Sequence, residues 1–202
     1  MIDLLKKHIE RLINTPVPEG NCSTFSNLLF EKSFDKKDII VEEGMQCNYI
    51  YFITEGSCYS YYTDDKGEEH AMQFSLEGYW ISDLYSFFSG KKSIYTVQAL
   101  EPTKVLVLNK ENFNKACDTM PAFDKYFRLL IQNAYVALQY RLAKTNSDDA
   151  EHRYNEFANS YPQFVQRIPQ YLIASYLGIK PQSLSRIRKE LSHKNSYTSI
   201  VD

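Results

Sequence analysis

The chain has 202 residues, of which 44% are hydrophobic and 24% charged, and it carries a formal net charge of −2 at pH 7. These proportions are typical of a globular protein with a full core, and the lack of an apolar run of membrane-spanning length excludes a membrane protein and predicts a cytoplasmic one. The four cysteines, at positions 22, 47, 58 and 117, contain no C-x-x-C pair, which argues against a zinc site or an iron–sulfur cluster and predicts reduced thiols.

The first predicted element is an amphipathic helix over residues 3–13, whose acidic residues set it apart from a signal peptide. From residue 32 to residue 109 the chain changes to short β-rich runs, which are DIIVEE, NYIYFIT, SCYSYYT, HAMQFSL, YTVQALE and TKVLVLN. Glycines from Gly44 to Gly90 separate these runs at intervals of 11 or 12 residues. This spacing predicts an antiparallel barrel or jelly roll, whose many aromatic side chains fit either a packed core or a ligand cavity.

Two helices are predicted after the last strand. Asn109 is placed to cap a short helix, and Pro121 begins a longer helix that runs to about Lys144. The long helix carries an apolar stripe, which fits either a homodimer seam or packing on the barrel. The stripe residues that we assign to the dimer interface are Phe123, Phe127, Leu130, Ile131, Ala134 and Leu138. The polar run TNSDDA, at residues 145–150, predicts a hinge, with Ser147 as the cap of the next helix.

Residues 167–191, RIPQYLIASYLGIKPQSLSRIRKEL, have the pattern of a helix-turn-helix. Apolar residues recur at helical spacing up to Gly178, which permits a tight turn, and Pro181 then begins a second helix. The buried side of this helix is predicted to carry Leu184, Ile187 and Leu191. The residues that we assign to DNA binding are Gln182, Ser183, Ser185, Arg186, Lys189 and His193. Arginine and glutamine can each form paired hydrogen bonds with a base edge, although a helical hairpin with an ordinary solvated face would share much of this pattern.

Charge is divided unevenly along the chain. Residues 1–150 carry 16 basic and 21 acidic side chains, whereas residues 151–202 carry 7 basic and 4 acidic ones. The difference indicates an acidic sensor joined to a basic reader of nucleic acid.

The order of these parts resembles the Crp/Fnr superfamily of bacterial transcription regulators over about residues 20–193. The segments that carry the resemblance are GMQCNYIYFITEGSCYSYY, GYWISDLYSFFSG and IPQYLIASYLGIKPQSLSRIRKEL. The resemblance implies an α+β chain with three parts: a jelly-roll sensor domain like the cyclic nucleotide-binding domains at residues 1–118, a dimerisation helix and hinge at residues 119–146, and a winged-type helix-turn-helix domain at residues 147–202. It further implies a homodimer that binds an inverted-repeat operator in double-stranded DNA and recruits or blocks RNA polymerase.

The sensor loop departs from the cyclic-nucleotide binders of the superfamily. In those proteins a Glu in a G-E-L run holds the ribose, and the Arg of an R-S-A or R-T-A run holds the cyclic phosphate. The corresponding runs here resemble Ser82-Asp83-Leu84 and Ser93-Ile94-Tyr95, so the phosphate Arg is missing. The effector-pocket candidates are Ser82, Asp83, Leu84, Ser93 and Tyr95, and cyclic AMP is not expected to bind. Without a Cys or His cluster, the haem and iron–sulfur variants of the superfamily are not expected either.

A jelly roll also occurs in cupin-like enzymes, which are the rival from another class. Their chemistry requires a metal held by several histidines and a carboxylate on barrel strands. Of the four histidines in this chain, only His70 falls in the barrel, and no catalytic motif is present, so the sequence predicts no enzyme and no metal site. A small-molecule-binding protein without DNA output would leave the helix-turn-helix unexplained. The sequence leaves open the effector, the operator, and the choice between activation and repression.

Overall fold

The structure, a computed structural model, describes the chain from Met1 to Thr198 and leaves out the side chains of residues 145–147 and 192–198. His193, which we predicted to bind DNA, therefore lies outside the described side chains. The helices before the barrel are α1 (Ile2–Ile13) and α2 (Glu19–Ser26). None of the helices in the described part of the chain is long and apolar enough to cross a membrane.

The strands among the described residues are β1 (Phe30–Phe34), β2 (Ile39–Val41), β3 (Tyr49–Glu55), β4 (Cys58–Thr63), β5 (Glu69–Ser75), β6 (Trp80–Ile81), β7 (Thr96–Ala99) and β8 (Thr103–Asn109). They form two antiparallel sheets of four strands, in the orders β1-β8-β3-β6 and β2-β7-β4-β5. Helix α3 (Leu84–Ser89) lies between β6 and β7. Two facing antiparallel sheets of this kind confirm the predicted jelly roll.

The space between the two sheets is filled by aliphatic and aromatic side chains. Its members include Phe34, Val41, Ile53, Val97, Val105 and Val107. The turn from β3 to β4 depends on Gly56, whose φ is +95°. A Cβ atom at this position would lie 2.5 Å from the Pro102 carbonyl oxygen, so the close approach of the two backbones admits only glycine. The glycine spacing in the sequence therefore did mark turns of the barrel.

The sequence did not predict β1 and β6. Four of the five residues of β1 are exposed, so its sequence FEKSF lacks the apolar alternation that signals a strand. Strand β6 has only two residues, which is too short for any periodic pattern.

The remaining elements are α4 (Lys110–Thr119), α5 (Pro121–Ser147), α6 (Ala150–Ser160), α7 (Pro162–Arg167), α8 (Gln170–Leu177) and α9 (Pro181–Thr198). Asn109 caps α4 as predicted, because its Oδ1 accepts a hydrogen bond from the Asn112 amide at 2.7 Å. The break between α5 and α6, at Asp148 and Asp149, lies inside the predicted hinge at residues 145–150, but the long helix extends beyond its predicted end near Lys144. Helix α5 continues to Ser147, since polar residues without proline or glycine do not end a helix. Asp149, and not Ser147, caps α6 by accepting a hydrogen bond from the His152 amide at 2.8 Å.

The winged-type element that the resemblance implied is absent from the described residues. Every described element from Lys110 to Thr198 is a helix. Pro162 begins α7 and Pro169 precedes α8, so both prolines sit where helices start. A proline cannot donate a hydrogen bond to a strand ladder, and the segment between the two therefore forms a short helix and not a hairpin.

The long helix α5 has two halves with different surroundings. Phe123 and Phe127 are buried against the barrel and the N-terminal helices, and Leu130 packs on the same core. The assignment of Phe123 and Phe127 to a dimer interface was therefore wrong, since one chain already covers both rings. From Ile131 to Tyr140 every residue of α5 is exposed. The N-terminal part of the apolar stripe therefore belongs to the core of one chain, and its C-terminal part faces solvent.

Candidate nucleic-acid interface

Helices α8 and α9 form the predicted helix-turn-helix around a small apolar core. Ala174 is fully buried where the helices cross, and Leu184 and Ile187 hold α9 against α8. Gly178 ends α8 with a φ of 63°, and the Ile179 amide then donates to the Ala174 carbonyl at 2.9 Å. The left-handed glycine reverses the chain within one turn, so α9 leaves at a fixed angle.

The outward face of α9 carries most of the predicted DNA-binding residues. Gln182, Ser185, Arg186 and Lys189 are exposed, whereas Ser183 is half-buried on the flank. Arg186 Nε lies 3.9 Å from Glu190 Oε1, and both side chains are largely exposed, so this ion pair contributes little. The guanidinium can exchange that contact for a base edge or a phosphate.

Helix α8 docks the helix-turn-helix on strand β5, the outermost strand of its sheet. Ser175 Oγ accepts a hydrogen bond from the Ala71 amide at 2.9 Å and lies 3.2 Å from the Glu69 carbonyl oxygen, to which it donates. An apolar cluster supports the contact, with Phe74 of the barrel 5.1 Å from the ring of Tyr176. The C-terminal helices are therefore attached to the barrel by both polar and apolar contacts.

An ion-pair group holds the same two parts together. Arg167 Nη2 donates to Glu77 Oε1 at 3.0 Å, and the same guanidinium also pairs with Glu101. Burial alone would raise the pKa of Glu77, but hydrogen bonds from Arg167 and from the Gly56 amide outweigh it and lower the pKa. The carboxylates in turn raise the pKa of Arg167. The contact between Arg167 and Glu77 is therefore an ion pair between a guanidinium and an ionised carboxylate.

The sensor loop is organised around the carboxylate of Asp83, which is fully buried. Its Oδ1 accepts from the Ser86 amide at 3.0 Å and so caps α3. Its Oδ2 accepts from Ser93 Oγ at 2.6 Å, from the Ile94 amide at 2.7 Å and from the Tyr95 amide at 3.1 Å. Both carboxylate oxygens of Asp83 therefore accept hydrogen bonds from groups of the chain itself.

The five predicted effector-pocket residues therefore separate into two groups. Asp83 and Ser93 are buried and bonded to each other. Ser82, Leu84 and Tyr95 line a cavity of about 470 Å³ that also has walls from β5, α5 and the C-terminal helices. Burial raises the pKa of Tyr95, as does the nearby Asp83 carboxylate, so its hydroxyl stays protonated at neutral pH.

Sequence reasoning missed Arg141 as a member of this cavity. Its Nη1 donates to the Met72 carbonyl at 3.1 Å, and its guanidinium lies 4.4 Å from the centre of the Tyr176 ring. The signal that could have found it is its position, because Arg141 is the charged residue that interrupts the apolar stripe of α5.

The exposed half of α5 carries a row of apolar side chains. Ile131, Tyr135, Leu138 and Leu142 are all at least 36% exposed. They follow one another at intervals of four, three and four residues, which is the spacing of a coiled-coil seam. Ile131 and Leu138 were predicted as interface residues, together with the exposed Ala134.

Two groups of side chains among the described residues lie close enough to hold a metal ion. They are Asp64, Glu68 and His70, and Asp148, His152 and Glu156. The first group is a hairpin whose Asp64 Oδ2 lies 2.9 Å from His70 Nε2. Neither group is enclosed by the fold, and our expectation of a chain without a metal stays a prediction.

Residues 31–120 match the cyclic nucleotide-binding domain family. The regulatory protein HlyX of Actinobacillus pleuropneumoniae is 24% identical over 170 residues, which are 78% of this chain and 69% of that protein. The fumarate and nitrate reduction regulatory protein of Vibrio cholerae is 25% identical over 191 residues, which are 85% of this chain and 75% of that protein. The structure of FixK2 from Bradyrhizobium japonicum has a TM-score of 0.68 at 19% identity and covers 83% of this chain and 86% of its own.

Proposed function

Because this chain is a transcription regulator of the Crp/Fnr superfamily, we propose that it binds an inverted-repeat operator in double-stranded DNA as a homodimer and acts on RNA polymerase. The observation that supports this most directly is that α9 exposes one polar face to solvent, whereas Leu184 and Ile187 on its other face are buried. Such a helix fits the major groove. No catalytic step is part of this function, and its DNA target is found in the cytoplasm.

The exposed residues Gln182, Ser185, Arg186 and Lys189 of α9 have different roles in this function. Arg186 contacts a base edge near the centre of the face, and its paired donors suit guanine O6 and N7. Gln182 and Ser185 affect the neighbouring base positions. Lys189 neutralises phosphate, so it adds affinity for every sequence alike.

Selection of bound sequences from a random DNA pool tests the role of Arg186. Arg186→Ala should weaken binding to the selected operator by about 1 to 3 kcal/mol and relax the preference at one base position in each half-site. Arg188→Ala is the matched control, because Arg188 is also exposed on α9 but lies about 160° around the helix from Arg186. An unchanged base preference in Arg186→Ala, or an equal loss in both variants, would contradict the assigned role.

The homodimer is supported by the seam on the exposed half of α5. Large exposed apolar surfaces on a folded chain are typical of interaction sites, and Ile131, Tyr135, Leu138 and Leu142 form one continuous row. A second copy of the same helix offers the same row, as two-fold symmetry requires. Two α9 helices related by that axis then reach half-sites about 34 Å apart.

The barrel of this regulator is proposed to sense something other than cyclic AMP. A cyclic phosphate is a fixed anion that needs donors or a cation in the pocket. The Ile94 and Tyr95 amides, which could serve an anion, already donate to Asp83. A second anion beside that carboxylate would be repelled, and no arginine stands in the Ser93-Ile94-Tyr95 run to offset the charge.

A further inference from the structure

The cavity of about 470 Å³ is bounded by three parts of the chain at once. The barrel contributes Phe74, helix α5 contributes Ala137 and Arg141, and the DNA-binding domain contributes Phe157 and Tyr176. Its volume lies in the range of sites that bind small organic molecules. A ligand inside it would touch the sensor and the DNA-binding domain together.

The walls of this cavity are largely aromatic. The ring of Tyr176 lies 5.1 Å from that of Phe74 and 5.6 Å from that of Phe157, and the rings of Tyr79 and Phe164 are 5.4 Å apart. These rings come from the barrel and from the C-terminal helices, which are distant in sequence, so the cluster exists only in the docked arrangement. Flat aromatic walls of this kind can pack against the ring of an aromatic ligand.

One positive charge is placed on this aromatic wall. Among the described lining residues, Arg141 is the only charged one. The Met72 carbonyl and the face of Tyr176 fix the direction of its guanidinium. Burial raises the pKa values of Tyr95 and Tyr176, so both phenols remain neutral hydrogen-bond donors beside it. A fixed guanidinium with neutral donors nearby suits a carboxylate.

We propose that this cavity binds an aromatic carboxylate, with the ring between the aromatic walls and the carboxylate on Arg141. The binding itself requires only the docked chain. Its regulatory meaning rests on the proposed function, because a ligand that touches the barrel and the DNA-binding domain favours one arrangement of the two. Binding of the ligand should then change the affinity for the operator, and binding of the operator should change the affinity for the ligand by the same factor.

Titration calorimetry on the full chain with 2-naphthoate, and with 2-naphthamide as the neutral probe of the same shape, tests this site. We expect the wild type to bind the carboxylate at least tenfold more tightly than the amide, since a charge-assisted contact replaces a neutral one. Arg141→Gln should bind both probes equally. Ala137→Phe should bind neither, because the added ring fills the cavity.

Ala143→Phe is the matched control for the cavity variant. Ala143 is an exposed alanine on the same helix and is not among the residues that line this cavity, so probe binding should not change. A folded wild type that binds the two probes equally or binds neither, or an Ala137→Phe chain that still binds 2-naphthoate, would overturn the proposal. Operator selection on the same preparation separates the two hypotheses, because DNA binding without naphthoate binding leaves the proposed function in place.

Discussion

Replacing the buried carboxylate of Asp83 by the amide of the same shape should destabilise the barrel by about 3 kcal/mol. In the wild type one oxygen caps α3 at the Ser86 amide, and the other accepts from Ser93 Oγ and from the Ile94 and Tyr95 amides. Asparagine has only one acceptor oxygen. The side chain of Asp83→Asn can therefore accept hydrogen bonds from the Ser86 amide or from the donors of residues 93–95, but not from both.

The size of the loss follows from the two possible orientations of the amide. If its oxygen faces Ser86, the buried amides of Ile94 and Tyr95 lose their acceptor, at about 1 to 3 kcal/mol for each. If its oxygen faces the loop, α3 loses its cap, at about 1 kcal/mol. The two loop amides then also lose the benefit of a charged acceptor, at about 1 kcal/mol each. The second orientation totals about 3 kcal/mol, below the midpoint of about 4 kcal/mol for the first, and is therefore the one that sets the expected loss.

Urea unfolding followed by the fluorescence of Trp80, the one tryptophan of the chain, measures this loss. Asp64→Asn is the matched control, because Asp64 also accepts hydrogen bonds from two backbone amides, those of Lys66 and Glu68, but its side chain is only half-buried, in a hairpin that solvent reaches. Water can replace a lost acceptor there, so this variant should lose far less stability. If Asp83→Asn lost no more than Asp64→Asn, the burial of the carboxylate would not matter as we have argued.

Three further outcomes can be measured directly. In light scattering Tyr135→Glu should dissociate the proposed homodimer, whereas Val136→Glu, at a similarly exposed neighbour outside the seam, should not. A wild type that is monomeric at micromolar concentration would contradict the seam. Because the pKa of Glu77 is lowered in the folded chain, its ion pair stabilises the fold at neutral pH and is lost as the pH falls through that lowered value, by at most about 1 kcal/mol. Between about pH 7 and pH 3 the melting temperature of Glu77→Gln should therefore fall less than that of Glu42→Gln, a matched change at an exposed glutamate, and equal falls would count against the ion pair. Calorimetry should detect no binding of cyclic AMP or cyclic GMP in the low-micromolar range or tighter.

The helix-turn-helix could be predicted from the sequence because its signals are local. Gly178 and Pro181 stand three residues apart and set the turn and the start of α9 without help from other parts of the chain. The same holds for Asn109, whose cap is made to a residue three positions later. Local signals of this kind also marked the turns of the barrel.

The long-range contacts could not be read in this way. An apolar stripe indicates that a helix face is covered, but it does not show what covers it. For this reason Phe123 and Phe127 were assigned to a dimer interface, although both rings are buried within one chain. The Asp83 carboxylate reaches amides 11 and 12 positions later, and a sequence pattern does not show which donors a loop will bring to it. Arg141 finds its carbonyl acceptor 69 positions earlier.

The hydrogen bonds between Ser175 and strand β5 have a consequence for association between chains. A strand at the margin of a sheet presents unpaired amides and carbonyls, which form a template for pairing with another molecule. Here a serine from a different domain bonds to the Ala71 amide and the Glu69 carbonyl, so the DNA-binding domain shields the barrel from edge-to-edge aggregation. Any motion that lifts α8 from the barrel exposes that template. The range of domain movement is thus limited by the need to keep β5 covered, as well as by the geometry of DNA.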